Sequence, residues 1–184
     1  MTKNTISIIG LGYVGLPLAV NLSHHWNVVG YDISNERVEE LKQGIDRTLE
    51  CDISKESSAN GVTFTTSQND IKSSSIYIIT VPTPVSEDKL PDLGPLLSAC
   101  ELVGRVLKRN DLVIFESTVF PGATEEFCVP KLENERIATR GVMPIDFAIS
   151  ADCIAISTKS SDSGSSQAVL SAIIILCLSE SIIE

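Results

Sequence analysis

The feature that most constrains the fold is a regular alternation of short apolar runs with amphipathic segments over the first two-thirds of the chain. Runs of β-branched and aliphatic residues predict buried strands at residues 5–9, 28–32, 62–66, 76–81 and 112–115. Apolar residues at helical spacing predict helices over residues 14–24, 35–42, 92–107 and 121–132. Strands that alternate with helices form right-handed βαβ units, so we predict an α/β fold with a doubly wound parallel sheet of the Rossmann type.

The alternation ends near residue 136. Residues 151–184 contain nine serines, and residues 159–167 form a low-complexity stretch that is typical of a flexible loop. An isoleucine-rich run at residues 173–176 predicts one further strand. We therefore expect a single Rossmann domain over residues 1–136, followed by an irregular Ser/Ile-rich tail over residues 137–184.

The net charge narrows the range of partners. The chain has 184 residues, with 24 acidic against 14 basic side chains and a formal net charge of −10. This balance argues against binding to nucleic acid or to an anionic membrane surface, since both attract basic proteins. A phosphate-bearing ligand would have to be held by backbone dipoles or by single side chains.

Targeting signals and cysteine spacing predict the compartment. The apolar run at residues 168–178 is shorter than the roughly 20 residues of a membrane-spanning helix, and the N-terminus does not resemble a signal peptide. The five cysteines are scattered and form no C-x-x-C pair, which indicates reduced thiols and neither disulfides nor a zinc site. We therefore expect a cytoplasmic protein without a metal, in which the apolar run is a candidate surface for homo-oligomer formation.

A glycine-rich loop carries the first functional signal. Residues 10–15 read Gly-Leu-Gly-Tyr-Val-Gly and match G-x-G-x-x-G between a predicted strand and a predicted helix. Gly10 would allow the tight turn, Gly12 would leave room for a pyrophosphate, and Gly15 would let the helix approach the strand. The helix N-terminus would then stabilise the phosphate charges. The alternative is a purely structural turn.

An acidic residue at the end of the second strand strengthens this interpretation. Asp32 follows Gly15 by 17 residues, close to the roughly 20 of the dinucleotide-binding pattern. Its carboxylate would accept hydrogen bonds from an adenosine ribose and would repel a 2′-phosphate, which favours NAD over NADP; a turn or N-cap aspartate is the alternative. Arg37 would either face the adenine or a phosphate, or lie exposed on the helix surface.

Three motifs, in order, resemble the NAD-binding domain of the UDP-glucose/GDP-mannose dehydrogenase family. They are the glycine loop, Val-Pro-Thr-Pro at residues 81–84, and Glu-Ser-Thr-Val-Phe-Pro-Gly at residues 116–122. The resemblance covers about residues 5–133. The Val-Pro-Thr-Pro form looks most like the branch that oxidises UDP-N-acetylglucosamine or UDP-N-acetylmannosamine for capsule or O-antigen sugars.

This resemblance implies an NAD-dependent oxidoreductase that converts the C6 hydroxyl of a nucleotide sugar to a carboxylate. It implies that Gly12, Tyr13 and Val14 line the pyrophosphate of NAD. It also implies that Asp32 and Arg37 face the adenosine ribose.

The other two motifs are implied to lie at the nicotinamide end. Thr83 would contact the cofactor, and Ser117 and Thr118 would lie near the nicotinamide. Thr118 would be catalytic, because it resembles the threonine that helps to hold a water molecule in the family. Without the resemblance, Thr83 and Thr118 are more simply understood as ordinary residues at the ends of strands.

The sequence departs from the family pattern after about residue 133. It contains no segment like the family's Tyr-Ser-Pro-Glu-Arg-like motif, nor the nucleophilic cysteine in a glycine-rich loop. We therefore expect an N-terminal fragment from a truncated or frameshifted gene, which lacks the substrate-binding domain and turnover. The alternatives are a non-catalytic NAD(H)-binding module or regulatory partner, and a different user of a nucleotide or of S-adenosylmethionine.

Overall fold

The structure, a computed structural model, describes residues 5–53, 61–85, 91–117 and 119–140, and the backbone of residues 147–150 and 174–178. Its strands are β1 (Thr5–Ile9), β2 (Asn27–Tyr31), β3 (Val62–Thr65), β4 (Ile76–Ile79), β5 (Leu112–Phe115), β6 (Phe147–Ser150) and β7 (Ile174–Leu178). Its α-helices are α1 (Gly15–Ser23), α2 (Asn35–Lys42), α3 (Gln68–Ile71), α4 (Gly94–Gly104) and α5 (Val129–Arg140), and a turn of π-helix, Thr124–Cys128, precedes α5.

The seven strands form one sheet in the order β3-β2-β1-β4-β5-β7-β6. Strands β1 to β5 are parallel, which confirms the predicted doubly wound architecture. The chain runs outward from β1 in both directions, with β2 and β3 on one side and β4 and β5 on the other. Ligands of such sheets bind outside the carboxyl ends of the strands, at the point where the order reverses. The fold therefore directs attention to the loops that follow β1 and β4.

Apolar side chains fill both faces of the sheet. Leu16 of α1 and Val38 of α2 belong to one buried cluster, together with Ile8 of β1. Leu96 of α4 and Leu132 of α5 belong to a second cluster, which covers the other face. Strands covered on both sides are apolar nearly throughout, which is why their runs were recognisable in the sequence.

Helix α4 is shorter than predicted. The apolar spacing predicts a helix over residues 92–107, but the observed helix is Gly94–Gly104. At its start, Asp92 Oδ1 accepts a hydrogen bond from the N–H of Gly94 at 2.8 Å, so Asp92 precedes the helix and does not belong to it. Pro95 then occupies the first turn, where its missing N–H costs nothing.

The last predicted helix, over residues 121–132, is wrong at both ends. Gly122 has φ of +89°, a left-handed conformation that no α-helix contains, so the helical region begins only at the Thr124–Cys128 turn. Helix α5 continues to Arg140, whose Nη2 donates a hydrogen bond to the Val106 carbonyl at 2.8 Å. This contact ties the end of α5 to the segment that follows α4.

Two further strands lie in the C-terminal segment for which an irregular tail was predicted. The predicted strand at 173–176 is confirmed as β7, which pairs antiparallel with β5 and with β6, and β6 was not predicted. The predicted flexible loop at 159–167 lies outside the described residues. Within the described part of the chain, no helix is both long and apolar enough to cross a membrane.

Candidate functional site

A cleft of about 790 Å³ lies at the carboxyl edge of the sheet. Residues 9–12, 31–34 and 80–82, which follow β1, β2 and β4, form its walls at the strand ends. One side of α4 closes it, with Pro95, Ser98 and Leu102 among the lining residues. The cleft therefore occupies the position where the reversal of strand order places ligands in doubly wound sheets.

The two outer glycines of the loop are required by the fold itself. Gly10 has φ of +100°, which L side chains rarely adopt. A Cβ on Gly15 would lie 1.8 Å from the Gly10 carbonyl oxygen and 2.5 Å from Thr80 Oγ1. Gly15 thus lets the start of α1 pack directly against the turn, as predicted.

Gly12 is different, because the fold itself gives no reason for a glycine there. Its φ is not in the left-handed region, and a Cβ built on it would meet no atom within 4 Å. Gly12 lines the cleft, so this space opens into the cavity. A residue without a side chain, facing open space in a cleft, is expected where a ligand must approach the backbone closely.

The N-terminus of α1 is left without compensation by the protein. Val14, which precedes the helix, makes no side-chain capping bond, and the first turn contains no acidic residue. In contrast, α2 is capped by Ser34, whose side chain accepts from the N–H of Arg37, and it carries Glu36 in its first turn. The amide groups and positive dipole end of α1 remain available to an anion.

Asp32 lies at the end of β2 and faces the glycine loop. Its Oδ2 accepts a hydrogen bond from the N–H of Leu11 at 2.9 Å, and its Oδ1 accepts from the N–H of Ser34 at 2.9 Å. The second bond is the turn interaction that sequence reasoning gave as the alternative, whereas the first joins the carboxylate to the loop. Asp32 and Gly12 line the same cleft, so the structure brings the two principal predicted residues together.

Arg37 is not the exposed helix-surface residue that one sequence interpretation proposed. Its side chain is only 7% exposed, because Nε donates to the Leu11 carbonyl at 2.9 Å and Nη2 donates to Asp46 Oδ1 at 2.7 Å. Burial acts to raise the pKa of Asp46, but hydrogen bonds from Thr48 and Arg37 outweigh it and hold that pKa well below its ordinary value. Whether Arg37 also faces an adenosine ribose stays a prediction.

Tyr13 and Val14 project from the loop into solvent. Their exposed fractions are 70% and 49%, so their side chains contribute little to the core. Their predicted contact with a pyrophosphate would be made by the backbone, which is consistent with this exposure. It remains a prediction.

The predicted nicotinamide-end residues occupy the neighbouring strand ends. Ser117 is buried, and its Oγ donates to the Val81 carbonyl at 2.8 Å, which ties the end of β5 to the end of β4. Thr83 is half-buried after β4. Burial raises the pKa of Glu116, the residue that follows β5. Thr118, the predicted catalytic residue, lies outside the described residues.

Sequence reasoning missed Thr80, which lines the cleft, and Asp46, which bonds to the cleft residue Arg37. Thr80 Oγ1 lies 2.7 Å from the Gly10 carbonyl oxygen and 3.1 Å from that of Ile9, and so joins β4 to the turn after β1. Its signal was weak, because a threonine at the end of an apolar strand is unremarkable. Asp46 lies in a polar stretch without periodicity, where the sequence offers no signal for its role.

The site suits a dinucleotide held mainly by backbone groups. The open space at Gly12 and the uncompensated start of α1 fit a diphosphate, and the Asp32 carboxylate beside them fits a ribose. Among the described residues, no group of His, Cys, Asp and Glu side chains could hold a metal ion. Of the described cysteines, Cys100 and Cys128 are fully buried in the core and do not line the cleft.

Comparison with known proteins gives the same result independently. Residues 4–152 match the family model described as the UDP-glucose/GDP-mannose dehydrogenase family, NAD binding domain. The chain is 53% identical over 129 residues to a UDP-N-acetyl-D-glucosamine 6-dehydrogenase from Pseudomonas aeruginosa. It is also 53% identical over 127 residues to the enzyme of that name from Salmonella typhi. These alignments cover 70% and 69% of this chain but only 31% and 30% of the relatives.

Solved structures agree with the sequence matches. The fold resembles that of UDP-D-ManNAc dehydrogenase from Pyrococcus horikoshii, with a TM-score of 0.64 and 35% identity, over 76% of this chain and 37% of that one. It resembles GDP-mannose dehydrogenase from Pseudomonas aeruginosa with a TM-score of 0.62 and 30% identity, over 70% of this chain and 32% of that one. The chain thus spans about a third of the length of the proteins that it matches.

Proposed function

Since the chain belongs to the UDP-glucose/GDP-mannose dehydrogenase family, we propose that it supplies the NAD-binding part of a nucleotide-sugar 6-dehydrogenase. The reaction would oxidise the C6 hydroxyl of a UDP-N-acetylhexosamine to a carboxylate, for synthesis of a surface polysaccharide. Oxidation of the hydroxymethyl group to a carboxylate removes two hydrides, one in each of two successive steps, so two NAD⁺ would be reduced for each sugar. The residues of this chain would bind and orient that cofactor.

The open backbone at Gly12 is the observation that carries this proposal. A Cβ there would touch nothing in the protein, whereas a Cβ at Gly15 would collide with the loop. The space at Gly12 thus serves no packing purpose, and it lies beside the uncapped N-terminus of α1. A diphosphate fills such a space with hydrogen-bond acceptors and negative charge, which matches the backbone amides and the helix dipole.

The charges at the adenosine end favour NAD over NADP. The Asp32 carboxylate faces the loop, and Glu36 and Glu40 lie on the adjoining helix α2. The cations near them are already engaged, since Arg37 pairs with Asp46, and Arg47 pairs with Glu40 at 2.6 Å. A 2′-phosphate would meet the carboxylates without a free cation among these residues to balance it.

The sugar assignment rests on the relatives. The Pseudomonas aeruginosa and Salmonella typhi proteins are named for UDP-N-acetyl-D-glucosamine, and a relative from Escherichia coli, 36% identical, is named for UDP-N-acetyl-D-mannosamine. We therefore propose a UDP-N-acetylhexosamine as the substrate class. A cytoplasmic location fits this substrate and the buried cysteines Cys100 and Cys128, which are free thiols.

A second candidate function is an NAD(H)-binding module without catalysis of its own. It is favoured by the burial of Cys100 and Cys128 in the core, away from the cleft. Under either proposal the 184-residue chain binds NAD⁺ and NADH but turns over no sugar by itself.

The test uses the purified chain. NAD⁺ and NADH are titrated first, and NADH production is then assayed with UDP-N-acetylglucosamine, UDP-N-acetylmannosamine and UDP-glucose. We expect binding of both cofactor forms and no turnover. Turnover would show that the chain contains catalytic groups that neither sequence nor structure reveals, and no binding at millimolar cofactor would refute both proposals.

A further inference from the structure

We propose that Asp46 is a positioning residue of the cofactor site, which acts through Arg37 to orient and polarise the peptide that joins Leu11 to Gly12. This inference rests on the proposed NAD-binding function. It assigns a role to a segment outside the recognised motifs, and it gives Arg37 a role that needs no direct contact with the cofactor.

The Asp46 carboxylate is fixed by its surroundings. Its side chain is 2% exposed and accepts bonds from five donors. Oδ1 accepts from Arg37 Nη2 at 2.7 Å and from the N–H and Oγ1 of Thr48 at 3.0 and 2.7 Å. Oδ2 accepts from the N–H groups of Glu50 and Cys51 at 3.0 and 3.1 Å. The loop after α2 is thus folded around this one carboxylate. The five hydrogen bonds hold the Asp46 side chain in a single orientation.

Asp46 in turn fixes Arg37. A guanidinium group is planar and rigid, so the bond from Nη2 to Asp46 restricts where Nε can point. Nε points at the Leu11 carbonyl, which it reaches at 2.9 Å. The third nitrogen, Nη1, is buried and has no hydrogen-bond partner among the described residues. Its ion-pair partner, Glu40 Oε2, lies 3.9 Å away, beyond hydrogen-bonding distance, so the two hydrogen bonds to Leu11 and Asp46 are what orient the group.

The Leu11 carbonyl belongs to the same peptide unit as the Gly12 N–H. In a trans peptide these two groups point in opposite directions, so fixing the carbonyl toward Arg37 fixes the N–H away from it. The preceding peptide is held too, because the Leu11 N–H donates to Asp32 at 2.9 Å. Hydrogen bonds thus hold both peptide units that flank Leu11, and the direction of the Gly12 N–H is fixed with them.

The positive charge of Arg37 also strengthens that amide as a donor. A charge-assisted hydrogen bond to a carbonyl polarises the peptide and makes its N–H more acidic. Gly12 is the loop residue whose Cβ position opens freely into the cleft, and its amide is the donor proposed to meet the diphosphate. A buried charge is costly to leave unpaired, so Arg37 and Asp46 hold each other in place.

The test compares three variants of the full 184-residue chain. Asp46→Asn removes the charge that holds Arg37. Thr48→Val removes a different bond to the same carboxylate oxygen, and Glu50→Gln removes one negative charge from an exposed position in the same loop. The readouts are the ¹⁵N–¹H signal of Gly12 without ligand, and NADH affinity by fluorescence at a temperature where every variant is folded.

We expect Asp46→Asn to shift the Gly12 amide nitrogen upfield and to weaken NADH binding by about five- to tenfold, the effect of one polar contact. Thr48→Val and Glu50→Gln should change neither readout, although Thr48→Val should lower the unfolding midpoint. An unchanged Gly12 signal, or NADH affinity within twofold of the wild type, would overturn the proposal. Equal weakening by Thr48→Val would also overturn it, because it would indicate general damage to the loop.

A second variant covers the case in which Asp46→Asn does not fold. Arg37→Lys keeps a cation beside Asp46 but replaces the planar fork with a single nitrogen, and it should produce the same two changes. No effect of Arg37→Lys would overturn the proposal. If the wild-type chain binds no NADH, the proposed function fails, while the ligand-free Gly12 signal still decides the role of Asp46.

Discussion

Replacement of Gly12 by alanine should separate cofactor binding from folding. The added methyl group would meet no protein atom within 4 Å, and the backbone is not left-handed there. We therefore expect the free energy of unfolding to stay within about 0.5 kcal/mol of the wild type, or to rise slightly, since a Gly→Ala change at a compatible backbone reduces the entropy of the unfolded chain. The substitution should therefore leave the folded structure intact.

Gly12→Ala should, however, strongly weaken the binding of the cofactor. The methyl group would occupy the space that the diphosphate needs in order to reach the amides of the loop. We expect the dissociation constant of NADH to rise at least about tenfold, which corresponds to about 1.4 kcal/mol. Urea unfolding followed by circular dichroism gives the stability, and NADH fluorescence titration gives the affinity.

Gly15→Ala is the matched control. A methyl group at position 15 would lie 1.8 Å from the Gly10 carbonyl oxygen and 2.5 Å from Thr80 Oγ1. Both distances are steric clashes, and neither the backbone nor the buried, hydrogen-bonded hydroxyl can move away without a large loss of stability. We expect a loss of about 3 kcal/mol or more of stability. NADH affinity of Gly12→Ala equal to that of the wild type would refute the reasoning, as would a large loss of its stability.

Three further predictions concern the residues around the loop. Thr80→Val should lower the free energy of unfolding by about 1–2 kcal/mol in urea titrations, because a buried hydroxyl that bonds to the Gly10 carbonyl is lost; an unchanged value would contradict this. Asp32→Ala should weaken NADH more than NADPH, so the ratio of their dissociation constants should move toward one in parallel titrations. The Asp46 pKa is lowered in the folded chain, so its stabilising contribution is present above its unfolded pKa of about 4 and is lost as the pH falls toward the folded value. Asp46→Asn should therefore flatten the decline of stability below about pH 4, measured by urea unfolding, and an unaltered decline would refute that role.

The parallel core of the fold was predictable because its periodicity is strong. Strands such as Leu112–Phe115 and helix Asn35–Lys42 were predicted with the observed bounds, since both faces of the sheet are buried and the helix carries its apolar residues on one side. Gly44, two residues after that helix, has φ of +76°, the left-handed conformation in which glycine commonly ends a helix. Two elements were not predicted. Helix Gln68–Ile71 has only four residues, too few for helical periodicity to show, and strand Phe147–Ser150 has a single β-branched residue and ends on a serine, so it does not form an apolar run.

The site residues that could be predicted are those whose residue type indicates their function. Three glycines between a strand and a helix, together with an acid after the next strand, form a combination typical of dinucleotide-binding folds. In contrast, the burial of Arg37 depends on Asp46, nine positions later in a loop without regular structure. Nothing local in the sequence distinguishes such a buried pair from two surface charges. The structure was needed to find it.

The central claim is that the loop at Gly12 and the carboxylate of Asp32 together hold NAD, and a crystal structure of the chain with NADH tests it most directly. We predict diphosphate oxygens within hydrogen-bonding distance of the amides at residues 12–14, and a ribose hydroxyl on Asp32. A structure in which ordered NADH lies elsewhere on the chain, or in which the cleft stays empty at saturating NADH, would contradict the account.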